Sequence, residues 1–102
     1  MVEVNWTSQS IEDINNIAEF ISRDPLKYAE VQVEQFFEYA AMLELNPQIG
    51  RVVPEVGNKA IREMIIGNYR LIYKIIERNR IDILTVHHSS RLLKNSNIFK
   101  RK

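Results

Sequence analysis

The sequence predicts an α+β fold: an N-terminal strand, an antiparallel two-helix hairpin, then a three-stranded antiparallel meander forming one curved sheet, with the helices on one face. Two observations carry this. Apolar residues recur at three-and-four spacing through residues 11–21 and 29–43, and run at strand length and strand period through residues 61–88. The strand-length runs are separated by Gly67-Asn68 and Arg78-Asn79, links short enough to demand antiparallel hairpins.

The elements follow in order. Val2-Glu3-Val4-Asn5-Trp6 alternates at period two and reads as a short strand. Thr7 or Ser8 is the cap of a first helix, whose buried stripe is Ile11, Ile14, Ile17, Ala18 and Ile21. That helix stops near Arg23-Asp24, because a residue before proline avoids helical backbone angles. Pro25 suits the first turn of a second helix, with Ala29, Val33, Phe36, Phe37, Ala40 and Leu43 on its apolar face and an end near Asn46-Pro47. Residues 47–58 hold two prolines and two glycines and read as a loop. Strands are expected at residues 61–66, 69–77 and 80–88. The sheet face away from the helices is expected to be only partly covered, leaving a concave surface for a ligand.

Length and composition bound the rest. The 102 residues make one domain, 1–102, with residues 89–102 as a C-terminal tail that packs as a short helix or stays loose until a partner arrives. Cysteine is absent, which excludes disulfides, cysteine–zinc sites and a cysteine nucleophile, and fits a reducing cytoplasm. No charged-then-apolar leader and no apolar run near the roughly 20 residues of a membrane span is visible, so no membrane association is expected. The net charge is only +1, but it is unevenly spread. Residues 1–50 hold nine acidic side chains against two bases, and residues 51–102 hold twelve of the fourteen Lys and Arg. A basic second half attracts phosphates and acidic partners.

Chemistry-bearing patterns are few. There is no Gly-rich phosphate loop, no serine elbow and no metal-spaced His/Asp/Glu set, so neither metal nor cofactor is expected. His87 and His88 are adjacent and point to opposite faces of a strand. What remains is Arg51 and Glu55 in the loop, Arg62 and Glu63 in the 61–66 strand, Arg70 in the next, His88 at the end of the last and Arg91 just beyond. An acid, an imidazole and cations together suit phosphodiester cleavage. RNA brings its own 2′-hydroxyl nucleophile, a carboxylate or imidazole takes its proton, and arginine neutralises the crowded phosphate. The plainer alternative stands beside it: Arg70 pairs only with Glu63 or Glu55 across strands, for about 0.2–1 kcal/mol. His88 is then an ordinary strand-end histidine, and Arg62 a solvated charge.

Four segments, taken in order, resemble the RelE/ParE superfamily of toxins from bacterial type II toxin–antitoxin modules, including its plasmid-stabilisation members. They are W-T-x-x-S-I-E-D-I (6–14), N-P-Q-I-G-R-V-V-P-E (46–55), I-R-E-M-I-I-G-N-Y-R-L-I-Y (61–73) and I-D-I-L-T-V-H-H-S-S-R-L (81–92). The resemblance implies a toxin that arrests growth and a cognate antitoxin that wraps and blocks it. It leaves two targets open. RelE-like toxins are mRNA interferases, endoribonucleases that cut messenger RNA on the ribosome. Glu55, Arg70 and His88 resemble the catalytic general base, arginine and strand-end histidine of such nucleases, with Arg51, Arg62 and Arg91 as phosphate or RNA contacts. ParE-like toxins instead poison DNA gyrase without cleaving RNA, and G-R-x-x-P-E (50–55) and H-x-x-R (88–91) resemble that branch. Ser89 stands where the nuclease branch has a tyrosine, and Arg62-Glu63 where RelE itself has lysines. Ribosome-dependent cleavage is the first expectation, gyrase inhibition the second, and a degenerate toxin that keeps only its antitoxin surface the third.

Overall fold

Strand period and turn chemistry place the three long strands where the sequence predicts them. In the computed structural model, which describes residues 1–24 and 27–90, the elements are β1 (Glu3–Trp6), α1 (Ser8–Ser22), α2 (Ala29–Met42), β2 (Arg51–Val52), β3 (Ile61–Ile66), β4 (Tyr69–Glu77) and β5 (Arg80–His88). They form one sheet in the order β1-β5-β4-β3-β2. The β3–β4–β5 part is an antiparallel meander. β1 adds to β5 in parallel, with Val4 beside Ile81 and Trp6 beside Ile83, so the N-terminal strand closes on the last strand of the meander.

Two local features differ from expectation, the first in the 47–58 segment. It contains β2, a two-residue strand that pairs Arg51 with Glu63 and Val52 with Arg62. Two residues are too few to display a period. At the hairpins, Gly67 takes φ +61°, as a tight turn requires, whereas Asn68, Arg78 and Asn79 keep negative φ. The 78–79 link is accommodated instead by a register shift of the β4–β5 ladder between Ile75 and Glu77.

The helices are held to the sheet by polar ties as well as by packing. Thr7 is the cap of α1: its hydroxyl accepts from the Ser10 amide at 3.2 Å and donates to the Ile83 carbonyl at 2.6 Å. One turn further on, the Asp13 carboxylate accepts from the Thr85 hydroxyl and from the Val86 amide, the latter at 3.2 Å. α2 begins at Ala29, later than a proline-led start, and its first-turn cap Tyr28 makes no side-chain capping bond. Pro25 lies outside the described residues, as does the tail from residue 91 onward.

Each face of the sheet carries a core, and this decides the surroundings of the site. On the helix side Ile14, Phe36, Ala40 and Leu43 close over Leu71, Tyr73, Ile81 and Ile83. Phe36 meets Tyr69 edge-on at 5.5 Å. A large apolar side chain buried this way contributes about 1.5–3 kcal/mol. On the other side Val53, Ile61 and Ile72 form a smaller core with Val56 and Leu84. The partly bare concave face expected around Arg70 is therefore roofed by the 53–60 turn. Ile72 shares Arg70's face because that face has a core of its own. The roof begins at a close approach: a Cβ on Gly50 would lie 2.6 Å from the Glu63 carbonyl oxygen and 2.7 Å from the Tyr73 hydroxyl. That hydroxyl donates to the Pro47 carbonyl at 2.8 Å and accepts from the Gly50 amide at 3.0 Å.

Candidate functional site: a buried arginine–carboxylate network

Arg70 lies opposite Ile65 on β3 and opposite His87 on β5. Paired residues of antiparallel strands share a face, so Arg70, Glu63 and His87 lie on the side away from the helices. Each of the three guanidinium nitrogens donates a hydrogen bond there. Arg70 Nε donates to Glu63 Oε1 at 2.5 Å, and its two terminal nitrogens donate to the two oxygens of Glu55 at 2.9 and 2.8 Å. The other oxygen of Glu63 accepts from Arg51 Nε at 2.5 Å. The result is an alternating chain of charge, Arg51–Glu63–Arg70–Glu55, which begins on β2, crosses β3 and β4 and ends on the turn after β2.

Exposure grades along this chain. The Glu63 side chain is 0% exposed and that of Arg70 8%, against 42% for Glu55 and 62% for Arg51. An ionised carboxylate withdrawn from water is tolerated only when opposite charge and hydrogen bonds replace its solvation, and two guanidinium groups do so for Glu63. At the outer end, the hydrogen bonds from Arg70 hold the Glu55 carboxyl down to about 2, against a smaller opposing effect of burial. The same bonds raise Arg70 above its ordinary range, again against burial. A carboxylate held that low is ionised at neutral pH but is a weak proton acceptor.

Of the six residues expected to form the site, the network joins Glu55, Arg70 and Arg51. His88 is on the opposite face. It pairs with Tyr69, meets that ring edge-on at 5.3 Å, and its Nδ1 takes the Ser90 amide at 3.1 Å. It lines a cleft of about 530 Å³ between the helices and the sheet end, with Phe20, Tyr28 and Val31. Arg62 also turns away. It donates to the carbonyls of Lys59 at 3.0 Å and Gly50 at 2.9 Å and so ties together the two ends of the roofing loop. Arg91 lies outside the described residues.

Sequence reasoning missed Glu63 as the centre of the network, although an acid in the middle of I-R-E-M-I-I is as unusual as the cation in Y-R-L-I-Y. It also missed the partner of Arg70 on β5. Counting back from the Glu77–Arg80 pair brings Arg70 to His87, and His87 is the buried histidine of the two. Among the described residues no group of three or more His, Asp or Glu could hold a metal ion, and no helix is long and apolar enough to cross a membrane.

A helical hairpin on one face of a five-stranded sheet, with β1 parallel to β5, is the α+β architecture of a RelE/ParE-superfamily toxin. The chain belongs to the family described as ParE toxin of type II toxin-antitoxin system, parDE, whose model matches residues 4–93. Two solved structures share the fold. One, from a chromosomal ParDE toxin–antitoxin system of P. aeruginosa, has a TM-score of 0.70 at 16% identity, over 86% of this chain and 96% of that one. The other, from the toxin–antitoxin complex RelBE2 of Mycobacterium tuberculosis, has a TM-score of 0.61 at 21% identity, over 85% and 96%. No curated protein sequence matches the chain.

Proposed function

We propose that this toxin arrests growth by binding a protein target, with DNA gyrase the target that its ParE family implies, and that a cognate antitoxin neutralises it. One observation carries the choice over ribosome-dependent mRNA cleavage: His88 lies on the other face of the sheet from Glu55 and Arg70, and His87, which shares their face, is buried. Glu55 is bound edge-on to Arg70, while His88 lies across the sheet against Tyr69. Cleavage would need Glu55 or His88 within reach of the 2′-hydroxyl that Arg70's phosphate brings with it, and a base less acidic than Glu55 in this pairing. Binding needs none of this. The hairpin supports a protein partner, since Phe20, Tyr28 and Val31 stand exposed around the cleft at its open end. The solved relatives come from a ParDE system and a RelBE2 toxin–antitoxin complex, which supports an antitoxin as the second partner.

The test is induction in a bacterial host lacking the antitoxin, with pulse labelling of protein and DNA synthesis. The expected result is a halt in DNA synthesis with filamentous cells, and toxicity that survives Glu55→Ala and His88→Ala. A rapid collapse of protein synthesis, abolished by those same substitutions, would overturn the proposal in favour of mRNA cleavage. Induction without growth arrest would overturn both and leave a degenerate toxin with only its antitoxin surface.

A further inference from the structure

We propose that the cleft between the helical hairpin and the end of the sheet is a seat for this chain's own C-terminal segment, residues 92–99, which covers it when no partner is bound. The floor of the cleft is Ile21 and Tyr69, both buried. Its walls are Phe20, Tyr28 and Val31, which stand 66%, 75% and 52% exposed. Large apolar side chains gathered around one hollow at that exposure gain by being covered. The chain leaves β5 at this cleft. His88 lines it, and the Ser90 amide donates to His88 Nδ1 at 3.1 Å, so residue 90 sits on the cleft side of the strand. The Ser89 amide donates at 2.8 Å to the carbonyl of Asn68, which also lines the cleft, and this fixes the exit against the β3–β4 turn. Leu92 and Leu93 follow Ser90 within roughly 7–10 Å of extended chain, and Ile98 and Phe99 form a second apolar pair beyond them.

Charge favours the same occupant. Residues 8–45, which build the hairpin, hold eight acidic side chains against two bases, and residues 91–102 hold five bases and no acid. The two bases of the hairpin, Arg23 and Lys27, line the cleft beside Asp24, and Arg23 pairs with Glu19 at 3.5 Å. The attraction is therefore to the hairpin as a whole, with Glu30, Glu34 and Glu38 exposed along α2. Tethering decides between this occupant and the others. A segment attached at the lip of the cleft is present at an effective concentration on the order of millimolar, ahead of a second copy of the chain. A protein that docks on Phe20, Tyr28 and Val31 has to displace the segment first, so its apparent affinity scales with the fraction of chains whose cleft is open. The inference holds whichever cellular target the toxin has.

The absence of cysteine makes the test direct. Gln35→Cys, at an exposed position lining the cleft, and Ser96→Cys, between the two apolar pairs of the tail, are introduced together into the full chain. The protein is oxidised at low concentration, and the disulfide, which needs the two Cα atoms within about 7 Å, is followed by non-reducing electrophoresis. Circular dichroism verifies the fold. The reference is the same cysteine pair with Leu93→Ser and Phe99→Ser, which keeps the tether and removes the apolar contacts. The expected result is an intrachain disulfide that forms at least tenfold faster than in the reference. Equal rates would overturn the proposal, because tethering alone would then account for the encounter. A disulfide between chains, with a rate that rises with protein concentration, would overturn it in favour of a second copy in the cleft. No intrachain disulfide from either Gln35→Cys or, in its place, Val31→Cys would overturn it in favour of a cleft left open for an outside partner.

Discussion

At the scale of single residues, Glu63 and Gly50 decide whether the roofed face forms. Glu63→Ala leaves Arg70 buried with only its outer partner and frees Arg51 from the sheet. Removing one member of a buried ion pair costs about 3–5 kcal/mol, and the urea midpoint should fall accordingly. Gly50→Ala forces a methyl group against the backbone of Glu63 and the Tyr73 hydroxyl, and a loss of about 1–3 kcal/mol is expected from the same measurement. Glu55 predicts a pH dependence whose sign is fixed by its depressed folded-state value. Its contribution is complete above the ordinary carboxylate value of 4.5 and disappears as pH falls toward about 2. The stability difference between wild type and Glu55→Gln, followed by urea unfolding, should shrink over that window and vanish at its acid end. Arg70 was legible in the sequence because a cation interrupts an apolar run. Its partnership with Glu63 was legible only as one alternative, since pairing depends on register and not on composition. His88 was preferred over His87 by spacing, whereas the face a strand residue takes is set by parity from the turn.

At the scale of elements, Thr7 joins two of them, capping α1 and bonding the Ile83 carbonyl of β5. Thr7→Ala should lower the unfolding free energy by about 1–2 kcal/mol, toward the upper part of the range for a lost cap because the bond to β5 goes with it. Thermal unfolding followed by circular dichroism measures it. The long strands were readable to the residue: alternation, apolar runs and two-residue links all point the same way for β3, β4 and β5. Helix α1 was readable for the same reason, from its cap and its stripe, although of that stripe only Ile14 and Ile21 are buried and Ile11 is exposed. The limits of α2 were not. Its sequence carries helical periodicity past Met42, but Leu43 belongs to the core as the residue that ends the helix. β2 and the turn over Arg70 were invisible as structure because their order comes from contacts with β3 and β4, not from local preference.

At the scale of the whole molecule, the sheet closes through its most distant pair, β1 beside β5, while the helices lie between them in the chain. Deleting residues 1–6 removes the edge strand that covers β5 and uncovers the side of the core around Ile81 and Ile83. The shortened chain should lose cooperative urea unfolding and self-associate in sedimentation, as unprotected β edges do. The fold class and the family were legible because several ordered segments agree over most of the chain. The parallel closure was not, because nothing local marks the partner of a four-residue strand. That closure also gives the protein a schedule. A ribosome delivers β1 first and β5 last, so the first strand waits without a neighbour until residues 80–88 have been synthesised, and a chain cut short by premature termination never acquires one. Translation itself thus withholds the finished molecule until its last strand is made.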